Sequence, residues 1–467
     1  MKREAPPPAP LAPERRNHTA LSTTCVSHRC ADDESSQQAA SFTARKNIFR
    51  ALFPLLLGLT AGMSCAAITA KGLDTASFPK PVFNHFDHLV TETSIDSVEV
   101  DVVNIYSLAP DYAYAAEPRE GFACVDDAAR AIVLLSRSIE KEADDKKLHQ
   151  LKLLMAFVLR MQNKNGYFNN FIWPNGSINT SDKTSLAELN WWSLRALWGL
   201  ESGLHILPKD SDLSRQALVA IERLVANLKR DLPVTSRVAR HAEGLDVPTW
   251  LPMGSGADQA AVAIIGLLSN YDRTHDGNVL NIITAMADGI ERMQVGDAHR
   301  FPYGAHLSWR NEWHAWGSDQ AYALLLAGQK LGRTDYVRGG LLEVDYFYPY
   351  LIRRGYLSSL KIRKVGDQYV AIRQERFPQI AYGIRPMVSA AIEAYHITGK
   401  HRYLSIARHI ASWLTGTNDA HQAIYEAASG RIFDGIGPGA RVNRNSGAES
   451  TIEGLLALQY PESVTYR

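Results

Sequence analysis

The word GADQA at 256–260 returns as GSDQA at 317–321, about sixty residues later, and each copy runs directly into an apolar helical stretch. Three further segments place an acid at the same kind of position: CVDDAARA around Asp126 and Asp127, SLAELNWW around Glu188, and SGAESTIEGLLAL around Glu449. A repeat of this period implies one supersecondary unit copied around an axis. If the copies close into a ring, the same end of each copy faces the same mouth. The acids then converge there, and convergent carboxylates point to acid/base chemistry.

Helical patterns are expected at 126–141, 146–162, 185–207, 213–232, 258–271, 279–293, 319–331, 336–352, 380–397, 403–414 and 449–459, with little that reads as long strand. A weak twelfth pattern at 86–90 completes six hairpins. The members starting near 126, 187, 258, 319, 380 and 449 are apolar or small nearly all round, which marks helices buried on every side. Their alternates carry one polar stripe, as in Arg215, Glu222, Arg223 and Lys229, which suits an outer ring facing water. The expected fold is all-α, an (α/α)6 toroid of about twelve helices in inner and outer rings over 83–467. Its short connections lie at one face, and the longer segments 167–184, 236–256 and 300–318 lie at the other. Long loops on one face of a rigid scaffold are where function tends to reside.

The residues before 83 do not belong to that ring. Segment 1–44 is rich in Pro, Ser, Thr and Gln without apolar periodicity and reads as a disordered extension or a misassigned start. Arg45, Lys46 and Arg50 then precede an uncharged run at 51–70, so 45–70 is expected to be a signal peptide, with cleavage after Ala66. Lipidation at Cys65 ranks second and an uncleaved membrane anchor third. The protein is therefore expected to be exported, periplasmic or extracellular. Cleavage leaves Cys124 alone of the four cysteines, so there is no disulfide framework. With 50 basic against 49 acidic residues there is no electrostatic footprint for nucleic acid. Nothing shows metal-ligand spacing or a phosphate loop, so neither metal nor cofactor is expected.

Acids are common in first helical turns because they stabilise them, and the matched Asp258 and Asp319 look most like that. Asp126 and Asp127 are adjacent, about 100° apart on a helix, so at most one faces a given partner squarely; the other can bind Arg130 or position substrate. Glu449 follows a stretch with Gly435, Gly437, Gly439 and Gly447, and fits either a site beside a close backbone or a capping box with Ser446. Aromatics turn the reading towards sugar. Trp173, Trp191, Trp192, Trp250, Trp309, Trp313 and Trp316 fall on the long-loop face or in first turns, and such rings suit the faces of pyranoses. YFNNFIWPNG, with Asn169 and Trp173, and NEWHAWGSDQ, with Trp313, His314, Trp316 and Asp319, mix polar and aromatic residues without periodicity, as a binding wall would.

CVDDAARA, the GYFNNF loop and NSGAESTIEGLLAL resemble the six-hairpin glycosidase superfamily, over about 83–459. The resemblance implies a carbohydrate-active enzyme hydrolysing glycosidic bonds of an oligo- or polysaccharide with inversion, using one acid early and one late in the toroid. Asp127 and Glu449 match by position, as base and acid respectively, with Asp126, Glu188 and Asp319 in reserve. Inversion requires the two carboxyls roughly 6.5–9.5 Å apart. Two alternatives stay open. One is a polysaccharide lyase on the same toroid, using Tyr382, His314, Arg310 and Arg385. The other is a non-catalytic glycan-binding toroid in which the acids only cap helices.

Overall fold

The computed structural model describes residues 79–463. The expected extension at 1–44 and export segment at 45–70, with Cys65, lie outside the described residues. In chain order the helices are α1 (Asn84–Leu89), α2 (Val125–Lys141), α3 (Asp145–Arg160), α4 (Trp191–Ile206), α5 (Asp212–Asp231), α6 (Ala257–Thr274) and α7 (Gly277–Arg292). They continue with α8 (Gln320–Leu331), α9 (Thr334–Leu342), α10 (Tyr348–Arg354), α11 (Ala381–Thr398), α12 (Arg402–Ala411) and α13 (Ala448–Ser463). A π-turn at Glu343–Phe347 joins α9 to α10 as one outer helix.

The inner ring is α2, α4, α6, α8, α11 and α13, each packed on the next, and it closes because α13 packs on α2. Outside it, α3 packs on α2, α5 on α4, α7 on α6, α9 on α8, α12 on α11 and the short α1 on α13. This is the expected (α/α)6 toroid. The all-round apolar sequences form the inner helices because those are covered on both sides: every residue from Val125 to Ser136 of α2 is buried. Close approach within the ring needs small residues. A Cβ at Gly199 of α4 would lie 2.9 Å from the Ala129 backbone of α2, well inside van der Waals contact.

Two expectations shift. The fourth helix begins at Trp191 rather than near 185, because the Asn190 side chain accepts from Trp191 N (2.8 Å) and the preceding residues are tied elsewhere: Ser185 Oγ donates to Asn179 O (2.6 Å), and Leu186 O accepts from Trp192 Nε1 (2.9 Å). Glu188 therefore lies in a loop, not in a first turn. Strand is also commoner than expected. Val90–Ile95 pairs with Val98–Val103, and Glu312–His314, Ser359–Val365 and Gln368–Glu375 make a three-stranded antiparallel sheet. These strands elaborate the segments that precede the inner helices, so the toroid scaffold is unchanged. Among the described residues no helix is long and apolar enough to cross a membrane.

Candidate active site

The site grows from the N-terminal ends of the inner helices, where the long connections lie. Cys124 ends a two-residue strand paired with Phe171–Ile172 and caps α2: its sulfur accepts from Asp127 N (3.4 Å) and donates to Asp127 Oδ2 (3.2 Å). Asn170, in the opposing loop, accepts from Asp126 N (3.2 Å). These contacts point the two adjacent acids in different directions. Asp127 meets Arg130 at 2.7 Å one turn on, whereas Asp126 meets Arg195 of α4 at 2.7 Å.

From there the charges join into one buried cluster. Arg130 also contacts Glu449 (3.1 Å) and Glu453 (3.1 Å) of α13, Glu453 passes to Arg385 of α11 (2.6 Å), and Arg385 holds Asp319 at the start of α8 (3.0 Å). Tyr382 sits amid them, its hydroxyl accepting from Arg195 and its ring 4.7 Å from Arg130 and 5.1 Å from Arg195. Three guanidinium groups thus face five carboxyls, and all eight side chains but that of Glu449 are sealed from solvent. Buried charges are tolerated only when paired and hydrogen-bonded, and this cluster has two carboxyls more than it has cations.

Burial above all, and with it the surplus of carboxyls, raises carboxyl pKa values. Burial pushes Asp127 and Asp319 up, opposed by Arg130 and Arg385 respectively. Glu449 is pushed up to about 7, first by desolvation, against the pull of Arg130 and with the help of the Asp127 charge. Its side chain keeps 22% of its surface, so it is the one acid of the cluster that both titrates near neutrality and meets solvent. Burial also pushes the Tyr382 phenol up to about 12, although Arg195 and Arg130 oppose it.

An aromatic wall adjoins this acid cluster. The Trp316 ring stacks on His314 with centroids 3.6 Å apart and lies 6.0 Å from Trp191, which in turn covers Arg195 at 4.9 Å. His314 Nδ1 bonds Trp316 O (2.8 Å), and Nε2 lies 3.0 Å from Asp258. Gly317, at φ 63°, brings the backbone so close to Tyr382 that a Cβ would sit 2.5 Å from the phenol oxygen. The wall therefore packs directly against the cluster. Trp316 remains partly exposed, as a surface for a ligand ring must.

Several residues named from sequence are placed differently. Asp127 is fully buried, with no open face for a water. Asp126 and Asp319 are buried ion-pair partners, so neither reaches a substrate. Trp313 is core: fully buried, edge-on to Phe347, with Nε1 donating to Ser318 Oγ (3.1 Å). Asn169 is buried and braces its loop, donating to Ser185 O (2.8 Å). Glu188 is exposed on its loop and accepts from Asn190 (3.3 Å). Trp173 is partly exposed in the turn after Phe171–Ile172. The capping box at Ser446 is not made, because Ser446 Oγ donates to Ile432 O (2.9 Å) and Glu449 turns to Arg130. Asp434 instead takes the helix entry, accepting from Gly447 N (2.9 Å) and Ser450 Oγ (2.8 Å). Asp258 and Asp319, matched in sequence, serve different partners, His314 and Arg385.

Sequence reasoning passed over Arg195 and Glu453 and assigned Arg385 only to the lyase alternative. A signal existed. Arg130, Arg195 and Arg385 each fall in the second turn of an otherwise apolar helix, where a charge must find a buried partner. Glu453 follows Glu449 by four residues, on the same face. Among the described residues no three of His, Cys, Asp and Glu gather as metal ligands.

No protein-family model and no curated protein sequence matches the chain. Solved structures do. The cellobiose 2-epimerase from Bacillus thermoamylovorans B4167 aligns with a TM-score of 0.55 at 10% identity, over 82% of this chain and 96% of that one. A sugar epimerase from a ruminal bacterium gives 0.55 at 10% identity, over 78% and 93%. A D-mannose isomerase gives 0.51 at 11% identity, over 78% and 92%. With the ring closure described above, these likenesses show that the chain has the (α/α)6 toroid fold.

Proposed function

We propose that the long-loop mouth is the active site of an exported carbohydrate-active enzyme in which Glu449 transfers the proton. The observation that carries this reading is the position of Glu449: a carboxyl that keeps some solvent contact, pushed up to a pKa of about 7 by desolvation although it touches a buried guanidinium, beside an aromatic wall. A general acid works best when its pKa lies near the operating pH. In glycoside hydrolysis Glu449 would protonate the leaving oxygen, while the partly exposed Trp316 receives the sugar face and the buried Trp191 backs it. Asp127 does not suit the base, because it is sealed beneath Arg130. Asp258, in the first turn of α6, is buried against His314, so the exposed Glu188 is the named carboxylate left to activate water.

A second reading, epimerisation or isomerisation, is favoured by His314. Fixed flat on Trp316, with Nδ1 held by Trp316 O, it would exchange a proton with substrate carbon only through Nε2 once that nitrogen leaves Asp258, while Glu449 serves the neighbouring oxygen. The names of the three structural neighbours agree with that chemistry. Lyase chemistry is less well supported, because Arg385 is taken up by Asp319 and Glu453, and Tyr382 is held by Arg195 with its pKa raised.

One experiment separates the readings: a panel of oligosaccharides incubated with the protein in D2O and followed by NMR. Hydrolysis produces new reducing ends whose anomeric configuration can be read directly. Epimerisation or isomerisation leaves the glycosidic bond intact and places deuterium on carbon. An unsaturated product would support the lyase, and no turnover of any sugar would sink the enzymatic proposal. Export is tested by fractionating cells that express the full chain.

A further inference from the structure

The end of the inner ring opposite the long connections holds a cavity of its own. It measures about 490 Å³ and is walled mainly by the C-terminal halves of α2, α4, α6 and α8, at the face of the short connections. That volume lies within the usual range of small-molecule sites. Trp198 separates it from the cluster, lining the cavity while its ring lies 5.6 Å from Arg385.

Two polar atoms in this cavity have no hydrogen-bond partner among the described residues. Ser136 is 3% exposed, and its hydroxyl has no hydrogen-bond partner. The adjacent Arg137 stacks on Tyr460 at 4.5 Å, yet its buried Nη1 donates to no acceptor. Orphaned buried donors are costly and rare. The contrast with Arg130, Arg195 and Arg385 is plain, since each of those meets at least one carboxylate. At the rim, Lys330 and Asp272 pair at 2.5 Å and cancel each other. Glu140 also lines the cavity but is exposed, so the buried charge inside is the Arg137 cation, for which no ion pair forms among the described residues. Trp198 and Tyr322 supply flat apolar faces to a ring-shaped ligand.

We infer that this cavity is a second ligand site, distinct from the long-loop mouth, which binds a ring-bearing small anion such as a sugar acid or sugar phosphate through Arg137 and Ser136. The anionic group accepts from Arg137 Nη1 and the Ser136 hydroxyl, and the ring lies against Trp198 and Tyr322. Carboxylate and phosphate share the required chemistry. The inference does not depend on what the mouth catalyses.

Isothermal titration calorimetry with D-glucuronate, glucose 6-phosphate, inorganic phosphate and D-glucose tests it. One of the two sugar anions binds saturably, more tightly than inorganic phosphate, while glucose gives no signal; the preferred sugar anion identifies the anionic group. Arg137→Gln weakens that binding by about tenfold or more, the loss of one charge-assisted hydrogen bond. Ser136→Ala weakens it by roughly three- to tenfold without lowering the thermal midpoint, because the hydroxyl has no protein partner to lose. Because Arg137 packs on Tyr460, its variant could be destabilised; Ser136→Ala keeps the test valid in that case. The inference is overturned if neither sugar anion binds, if inorganic phosphate binds as tightly as they do, or if both variants bind as the parent does. It is equally overturned if Glu449→Gln abolishes the signal, which would place the ligand in the mouth.

Discussion

Glu449 lies 3.1 Å from Arg130, a residue 319 positions earlier in the chain, and its desolvation at this ring seam outweighs the guanidinium's pull and raises its proton affinity. The Glu449→Gln variant keeps the shape and loses the proton. Turnover is expected to fall by roughly 10²–10⁴, the usual worth of a general acid, with substrate binding retained. Because Glu449 acts protonated in hydrolysis, the rate of the parent declines as pH rises through about 7. Initial rates between pH 5 and 9 check both points, and a rate that instead rises through 7 would assign Glu449 as a base.

Stability carries the same signature. Below the ordinary glutamate value of 4.5 both folded and unfolded chains hold the proton, and between 4.5 and about 7 only the folded chain does. Folding stability therefore falls as pH rises through that window, by on the order of 3 kcal/mol from this group. Urea unfolding should show Glu449→Gln more stable than the parent at pH 8, with the difference vanishing near pH 4.

The Asp126–Arg195 pair is buried on both sides at 2.7 Å. Removing one partner leaves an uncompensated charge, so Arg195→Met is expected to lose about 3–5 kcal/mol. The urea midpoint reports the loss, and restoring charge balance with Asp126→Asn in the same chain should recover part of it.

Two tryptophans three residues apart separate core from wall. Trp313→Ala empties a fully buried position and is expected to cost about 3–5 kcal/mol of stability. Trp316→Ala, at a partly exposed ring, should leave the fold nearly intact and raise KM for the saccharide by roughly tenfold, a loss of about 1–2 kcal/mol of ring stacking. Thermal melts and steady-state kinetics on the two variants distinguish these outcomes.

The ring was legible because burial leaves a pattern: helices covered on all sides, such as α4 and α11, have no broad polar face to display. The strands were not, although KIRKVGDQYVAIRQE has the alternation and Gly-Asp turn of a hairpin, because exposed strands alternate weakly against a strong helical background. The acids of the first turns were visible as a set, but not their division of labour. Asp127 and Glu449 look alike in sequence, and only the third dimension seals one beneath Arg130 and leaves the other open. Trp313 and Trp316 share one segment, and the packing of Phe347 decides which is core. Long-range partners such as Arg195 for Asp126 follow from ring closure, which no local pattern encodes.

The central claim is that Glu449 is a proton carrier poised at neutrality. Carbon-13 NMR of protein labelled at the glutamate side-chain carboxyls, with Glu449→Gln to assign the resonance, measures this directly. A titration midpoint near 7 is the predicted result. A midpoint near the ordinary 4.5 would mean that Arg130 keeps Glu449 ionised throughout, and the account of the mouth as an acid-bearing active site would fail.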